Sequence, residues 1–111
     1  MYRIESKIDT KSPEYKQNQE DNKRLMEQLR DRLETVRKGG PPQAVERHKS
    51  RGKLTARERL AKLFDDNTPF VELSPLAAWD MYDNDAPGAG MVTGVGVVHG
   101  REVVVVANDA T

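Results

Sequence analysis

Apolar and polar positions recur with three different rhythms along the chain. Residues 1–13 show no apolar period and end at Pro13, which predicts a draped, irregular arm. From about Tyr15 to Lys38, Leu25, Leu29, Leu33 and Val36 recur at spacings of three and four, with Met26 beside them. That spacing predicts one long helix with a narrow apolar stripe. Glu20 with Arg24, and Glu34 with Lys38, stand at i,i+4 and predict supporting ion pairs. Gly39-Gly40 stops this helix, and Pro41-Pro42 keeps it from resuming. So narrow a stripe makes no core alone and must lie on another surface, of its own chain or of a neighbour. Residues 43–50 predict a short helix closing at Gly52. Thr55-Ala-Arg-Glu58 is a capping box, in which Thr55 accepts from an early N–H while Glu58 reaches back to the cap. The helix it opens runs to about Phe64. Leu63, Ala56, Leu60 and Phe64 share one arc, Arg57 and Arg59 its edges, and Glu58 and Lys62 face water.

Beyond Pro69 the period becomes two. Phe70 to Leu73 predicts a short strand, Met91 to Val98 a longer one, and Glu102 to Ala107 a valine-rich strand buried on both faces. His99-Gly100-Arg101 between the last two predicts an antiparallel hairpin. A hairpin with one short extra strand cannot cover such a surface, since a chain of this size buries only about two-thirds of its area. The expectation is therefore the front end of a longer protein, poorly folded alone, with an aggregation-prone strand edge.

Charge changes the picture more than composition does. The 111 residues carry 18 basic and 18 acidic groups, a net of zero. That neutrality hides a basic band over residues 44–62, with seven basic against two acidic groups. It stands beside an acidic, apolar block over 63–111 with one basic against eight. With no cysteine in the chain, disulfides, thiolate metal sites and a cysteine nucleophile are excluded within these residues. The longest apolar run, Val103 to Ala107, is far short of the roughly 20 residues of a membrane span. Arg3, Glu5, Lys7 and Asp9 interrupt any apolar leader. A cytoplasmic setting with no membrane partner is expected.

Several candidate chemistries resolve into simpler readings. Gly94-Val-Gly96 opens a near miss to the dinucleotide fingerprint, but Val97-Val98 continues a strand where that fingerprint needs a helix. Close strand approach is the better reading of the glycines. Asp83-Asn-Asp85-Ala-Pro87-Gly88 starts like a calcium loop, yet Pro87 and Gly94 fall where ligands belong. Asp80, Asp83 and Asp85 read as solvated turn residues rather than an acid/base group. His48 and His99 have no metal-ligand spacing, and Trp79, Met81 and Tyr82 read as packing residues. The basic band is the most informative feature. Arg47, Lys49, Arg51, Lys53, Arg57, Arg59 and Lys62 surround the start of the capped helix, a setting suited to phosphate. Nucleic acid is disfavoured, because the overall charge is zero and no aromatic residue interleaves the band.

Three segments, Ser50-Arg-Gly-Lys-Leu-Thr-Ala-Arg-Glu-Arg-Leu60, Pro87-Gly-Ala-Gly-Met-Val-Thr-Gly-Val-Gly96 and Ala107-Asn-Asp-Ala-Thr111, occur together in order. With them, residues 40–111 resemble the N-terminal part of biotin-dependent acyl-CoA carboxyltransferase beta subunits. Residues 1–39 resemble that family only as a helical lead-in. Tyr82-Asp-Asn84, Pro87 to Gly90 and Ala107 to Thr111 look more like the methylcrotonyl-CoA branch than the propionyl-CoA branch, whereas Ala77 to Met81 departs from it.

The resemblance implies an α/β, crotonase-like fold of repeated ββα units. An N-terminal arm and helix over 1–43 lead into the beginning of a carboxyltransferase domain over 44–111. It also implies transfer of a carboxyl group from N-carboxybiotin to an acyl-CoA, with biotin carried by a partner alpha subunit and the beta subunits forming a homo-oligomer. Both developing oxyanions need fixed N–H donors. The resemblance puts those donors, and every catalytic residue, outside 1–111, so these residues alone are expected to be inactive. Joined to the basic band, it nominates Arg51, Lys53 and Arg57 as contacts to the phosphates of coenzyme A. Other readings are the carboxyltransferase of a biotin-dependent decarboxylase, or a non-enzymatic helical interaction module.

Overall fold

A computed structural model describes residues 1–111. The chain divides into two compact units, Met1–Asp31 and Arg32–Thr111. In the first, residues 1–12 are exposed and irregular, and helix α1 (Pro13–Arg37) begins. The hydroxyl of Ser12 accepts the Tyr15 N–H and caps the helix start, with Pro13 at the first helical position. Leu25, Met26 and Leu29 are exposed. The ion pairs differ from the expected spacing: Lys23 holds Glu20 and Arg24 holds Asp21, each at i,i+3, so Glu20 does not reach Arg24.

In the second unit, Lys38 holds Glu34 as expected, and Val36 is buried. Helix α2 (Pro42–Ser50) starts on a proline whose missing N–H costs nothing there, so Pro41-Pro42 opens a helix as well as ending one. Helix α3 (Ala56–Leu63) carries both hydrogen bonds of the capping box. Strands β1 (Val71–Leu73), β2 (Met91–Val98) and β3 (Arg101–Asn108) form one antiparallel sheet in that order. His99 and Gly100 both have positive φ, so a two-residue turn pairs Val98 with Arg101. Asp65, just after α3, accepts the N–H groups of His99 at 2.8 Å and Gly100 at 2.7 Å. Those two donors, Gly100 first, hold its carboxyl below the usual carboxylate range.

The core lies on one face of the sheet. Ala56 and Leu60 of α3 pack on Val92 and Ala107, flanked by Phe64, Phe70 and Val105. A side chain at Gly96 would run into the Phe64 ring, and one at Gly94 into the Phe70 ring and the Val71 carbonyl. The two rings lie 5.0 Å apart, so these glycines let an aromatic pair rest directly on the strand. The expectation that β3 is buried on both faces needs correction. Val104 is 74% exposed and Val106 64% exposed, because α3 covers one face of the sheet and nothing in this chain covers the other.

Candidate functional site

The basic band folds around the α2–α3 connection. The capping box fixes α3, and its Glu58 does double duty: one carboxylate oxygen accepts the Thr55 N–H, and the other takes the Lys49 ammonium at 2.6 Å. The Lys49 contact first, and the Thr55 N–H second, lower the Glu58 pKa to about 2. Arg57 leaves the other edge of α3 as a fork and meets Glu72 of β1 through two hydrogen bonds, at 2.9 and 2.7 Å. Strand alternation explains this partner. Glu72 pairs with Gly94, so it shares the α3-covered face, and the arginine meets its charge there.

These pairs sort the nominated residues. Arg57 is committed to Glu72. It borders a cavity of about 210 Å³ lined also by Gly39, Gly40, Asp85, Gly88, Asp109 and Thr111. Gly40 donates its N–H to the Thr111 hydroxyl at 3.2 Å, and Asp109 accepts both that hydroxyl and the Thr111 N–H. A side chain at Gly40 would collide with the Thr111 carbonyl. Gly39-Gly40, Pro87 to Gly90 and Asp109 to Thr111, distant in sequence, thus meet at one seam.

Arg51 and Lys53 stand apart from that seam, exposed and without ion pairs. Lys53 lines a shallow hollow with His48, Leu54 and Arg59. The His48 Nε2 lies 2.9 Å from the Leu54 carbonyl oxygen, which ties α2 to the loop. Arg51, Lys53 and Arg57 are therefore not brought together in one pocket. Asp80 and Asp83 are exposed in an acidic turn, and Asp85 faces the seam. Trp79 lies under the Arg32 guanidinium, 5.2 Å from its ring centre. Glu72 and Asp65 were not nominated from sequence. Glu72 had a signal, an acidic residue alternating with Val71 and Leu73, whereas the turn held by Asp65 lies more than thirty residues away.

Residues 47–111 match the carboxyl transferase domain family. The chain is 50% identical over 92 residues to the biotin-dependent 3-methylcrotonyl-coenzyme A carboxylase beta1 subunit of Mycobacterium tuberculosis, covering 83% of this chain and 17% of that protein. It is 49% identical over 109 residues to a probable mitochondrial methylcrotonoyl-CoA carboxylase beta chain of Drosophila melanogaster, covering 97% and 19%. Among solved structures it resembles the hexameric transcarboxylase 12S, with a TM-score of 0.63 at 35% identity over 76% of this chain and 17% of that one. The chain thus spans less than a fifth of the length of these relatives. No helix is long and apolar enough to cross a membrane. The match takes in the sheet and α3 as well as the α2 region, which removes the ground for a purely helical module. In sequence and in its α/β, crotonase-like architecture, the chain belongs to the carboxyl transferase domain family.

Proposed function

We propose that these residues serve in the carboxyltransferase component of a biotin-dependent acyl-CoA carboxylase, on a methylcrotonyl-CoA-like substrate. The observation that carries this reading is the near-half identity to two methylcrotonyl-CoA carboxylase beta chains from a bacterium and an insect. Residues 1–43 act as arm and lead-in helix, and 44–111 begin the carboxyltransferase domain. Biotin, held on a partner alpha subunit, supplies the carboxyl group, and no residue of 1–111 is assigned to hold it. Within this chain the contribution is substrate anchoring. Arg51 and Lys53, exposed and free of carboxylates, approach the coenzyme A phosphates, whereas Arg57, the third residue of that expectation, is held by Glu72.

Anchoring remote from the reacting carbon acts in ground and transition states alike, so it lowers KM more than it raises kcat. The test uses a whole subunit carrying these residues, supplied with its biotin partner and with methylcrotonyl-, propionyl- and acetyl-CoA. Carboxylation should favour the branched substrate, and Arg51→Ala and Lys53→Ala should raise KM for acyl-CoA but not for an acyl-pantetheine. Inactivity on all three substrates would refute the reading. Homo-oligomer formation is read from the stripe of α1, whose Leu25 and Leu29 are exposed and whose Leu33 is half-buried. Leu29→Asp with Leu33→Asp should lower the assembled mass at dilute concentration, and an unchanged mass would count against that use.

A further inference from the structure

Seven cations crowd residues 44–62, and the fold removes two from consideration by pairing Lys49 with Glu58 and Arg57 with Glu72. Of the remainder, Lys53 and Arg59 line a common hollow, together with His48 and Leu54. No carboxylate lines that hollow. Its two walls are tied together by the His48–Leu54 hydrogen bond, and α3, which carries Arg59, is fixed by its capping box. The cations are thus presented from two anchored elements, facing one concavity of about 440 Å³. Leu54 adds an apolar wall, which suits an anion borne on an organic group.

We propose that His48, Lys53 and Arg59 form a phosphoryl-binding subsite, with Arg59 rather than Arg57 as the arginine that partners Lys53. Resting on the carboxyltransferase reading, the ligand is the phosphorylated nucleotide end of coenzyme A. Arg57 is then a structural clamp between α3 and β1. A guanidinium supplies directed donors and an ammonium a compact charge, and both suit a phosphoryl dianion. The site is open, so its hold weakens with salt.

The test measures binding of coenzyme A, pantetheine and inorganic phosphate by calorimetry, in a whole subunit carrying these residues. Lys53→Ala and Arg59→Ala should each raise the Kd for coenzyme A about tenfold at low salt and leave pantetheine within about twofold. Lys53→Arg should restore most of the loss, and melting temperatures should match the parent. Equal losses on coenzyme A and pantetheine, or no loss on either, would overturn the subsite. Inorganic phosphate should shift the His48 ring resonances at millimolar concentration, and coenzyme A should displace it. Failure of coenzyme A to displace it would mark a free-phosphate site and overturn the ligand assignment. Carboxylation with unaltered Arg59→Ala binding would sink the subsite alone. Phosphate binding lost in Arg59→Ala, in a subunit inactive on every acyl-CoA, would sink the carboxyltransferase reading and leave a phosphoryl site standing.

Discussion

The two faces of the sheet invert the usual expectation about which residues lie inside. The face covered by α3 carries Glu72, Gly94 and Gly96 beside Val92, Val105 and Ala107. The other carries Val71, Leu73, Met91, Val104 and Val106, all five exposed, with Val95 and Val97 of the middle strand half-buried among them. Side-chain bulk does not decide coverage here; the layer that lands on the strand does. Where α3 and the Phe64–Phe70 pair settle, bulk on the strand is forbidden. Where nothing settles, bulk is left bare.

The sharpest way to break the comparison is to add bulk to the covered face. Gly94→Ala should be the most damaging single change, because the new methyl meets the Val71 carbonyl as well as the Phe70 ring. A ring can turn aside, but paired strand backbone cannot. The cost should lie near or above the top of the about 1–3 kcal/mol typical of overpacking. In a subunit carrying these residues it should appear as lost soluble yield and a lowered melting temperature. A yield and melting temperature equal to the parent's would show that β1 can move away.

Next in size is the charge on that same face. The Arg57 side chain is 24% exposed and that of Glu72 14%, so the pair is partly buried. Removing one partner strands the other in a site it cannot leave. Arg57→Leu should cost about 2 kcal/mol, below the roughly 3–5 of a fully buried pair because water still reaches this one. Arg57→Leu with Glu72→Leu should recover most of the loss. A double variant no better than the single one would show that the arginine stem, not the charge, matters. These stabilities bear on the nucleotide assignment too, since a clamp fails by unfolding and a ligand contact by affinity.

What was legible in the sequence follows the reach of each interaction. The capping box joins residues three apart, the hairpin turn is two residues long, and strand alternation is local, so all three can be read from the chain. The family's segments were legible for a different reason, as a pattern shared with relatives. Arg57 and Glu72 are fifteen residues apart on elements whose relative placement no local pattern fixes. Asp65 and the 99–100 turn are further apart still. The valine run Val103 to Val106 reads as buried on both faces in sequence but not in the fold, because β-branched composition favours a strand without saying which face another layer covers.

Acid should loosen the covered side from its two carboxylate anchors. Glu58 has a folded pKa of about 2 against an ordinary 4.5, so its contribution is complete above pH 4.5 and lost as pH falls from 4.5 towards 2. Asp65 is likewise lowered from 3.8, so its hold on the hairpin turn is complete above that value and lost as pH falls through its folded one. Carboxyl carbon shifts should report both midpoints, with amide protection at Thr55, His99 and Gly100 falling in step. Glu58→Gln should remove the first dependence and leave the second. Protection that stays level down to pH 2 would deny either carboxylate an anchoring role.

The smallest effect on stability belongs to the open face, and it is the one that sharpens the contrast most. Val104 and Val106 are already in water within this chain, so Val104→Thr with Val106→Thr removes almost no burial. Threonine keeps the branched shape that suits a strand, and the change in stability should stay within about 0.5 kcal/mol. The consequence should instead be colloidal. β3 is the last strand of the sheet, with an unpaired backbone edge beside an apolar face, the combination that recruits other chains. Light scattering from the 111-residue chain should therefore fall in the double variant, while its circular dichroism spectrum is unchanged. A control pair on the covered face, Val92→Thr with Val105→Thr, should do the opposite: it buries hydroxyls in the core, lowers the melting temperature and raises scattering. If both pairs behaved alike, the two faces would not differ in the way the exposures require, and a layer would have to cover Val104 and Val106 in solution.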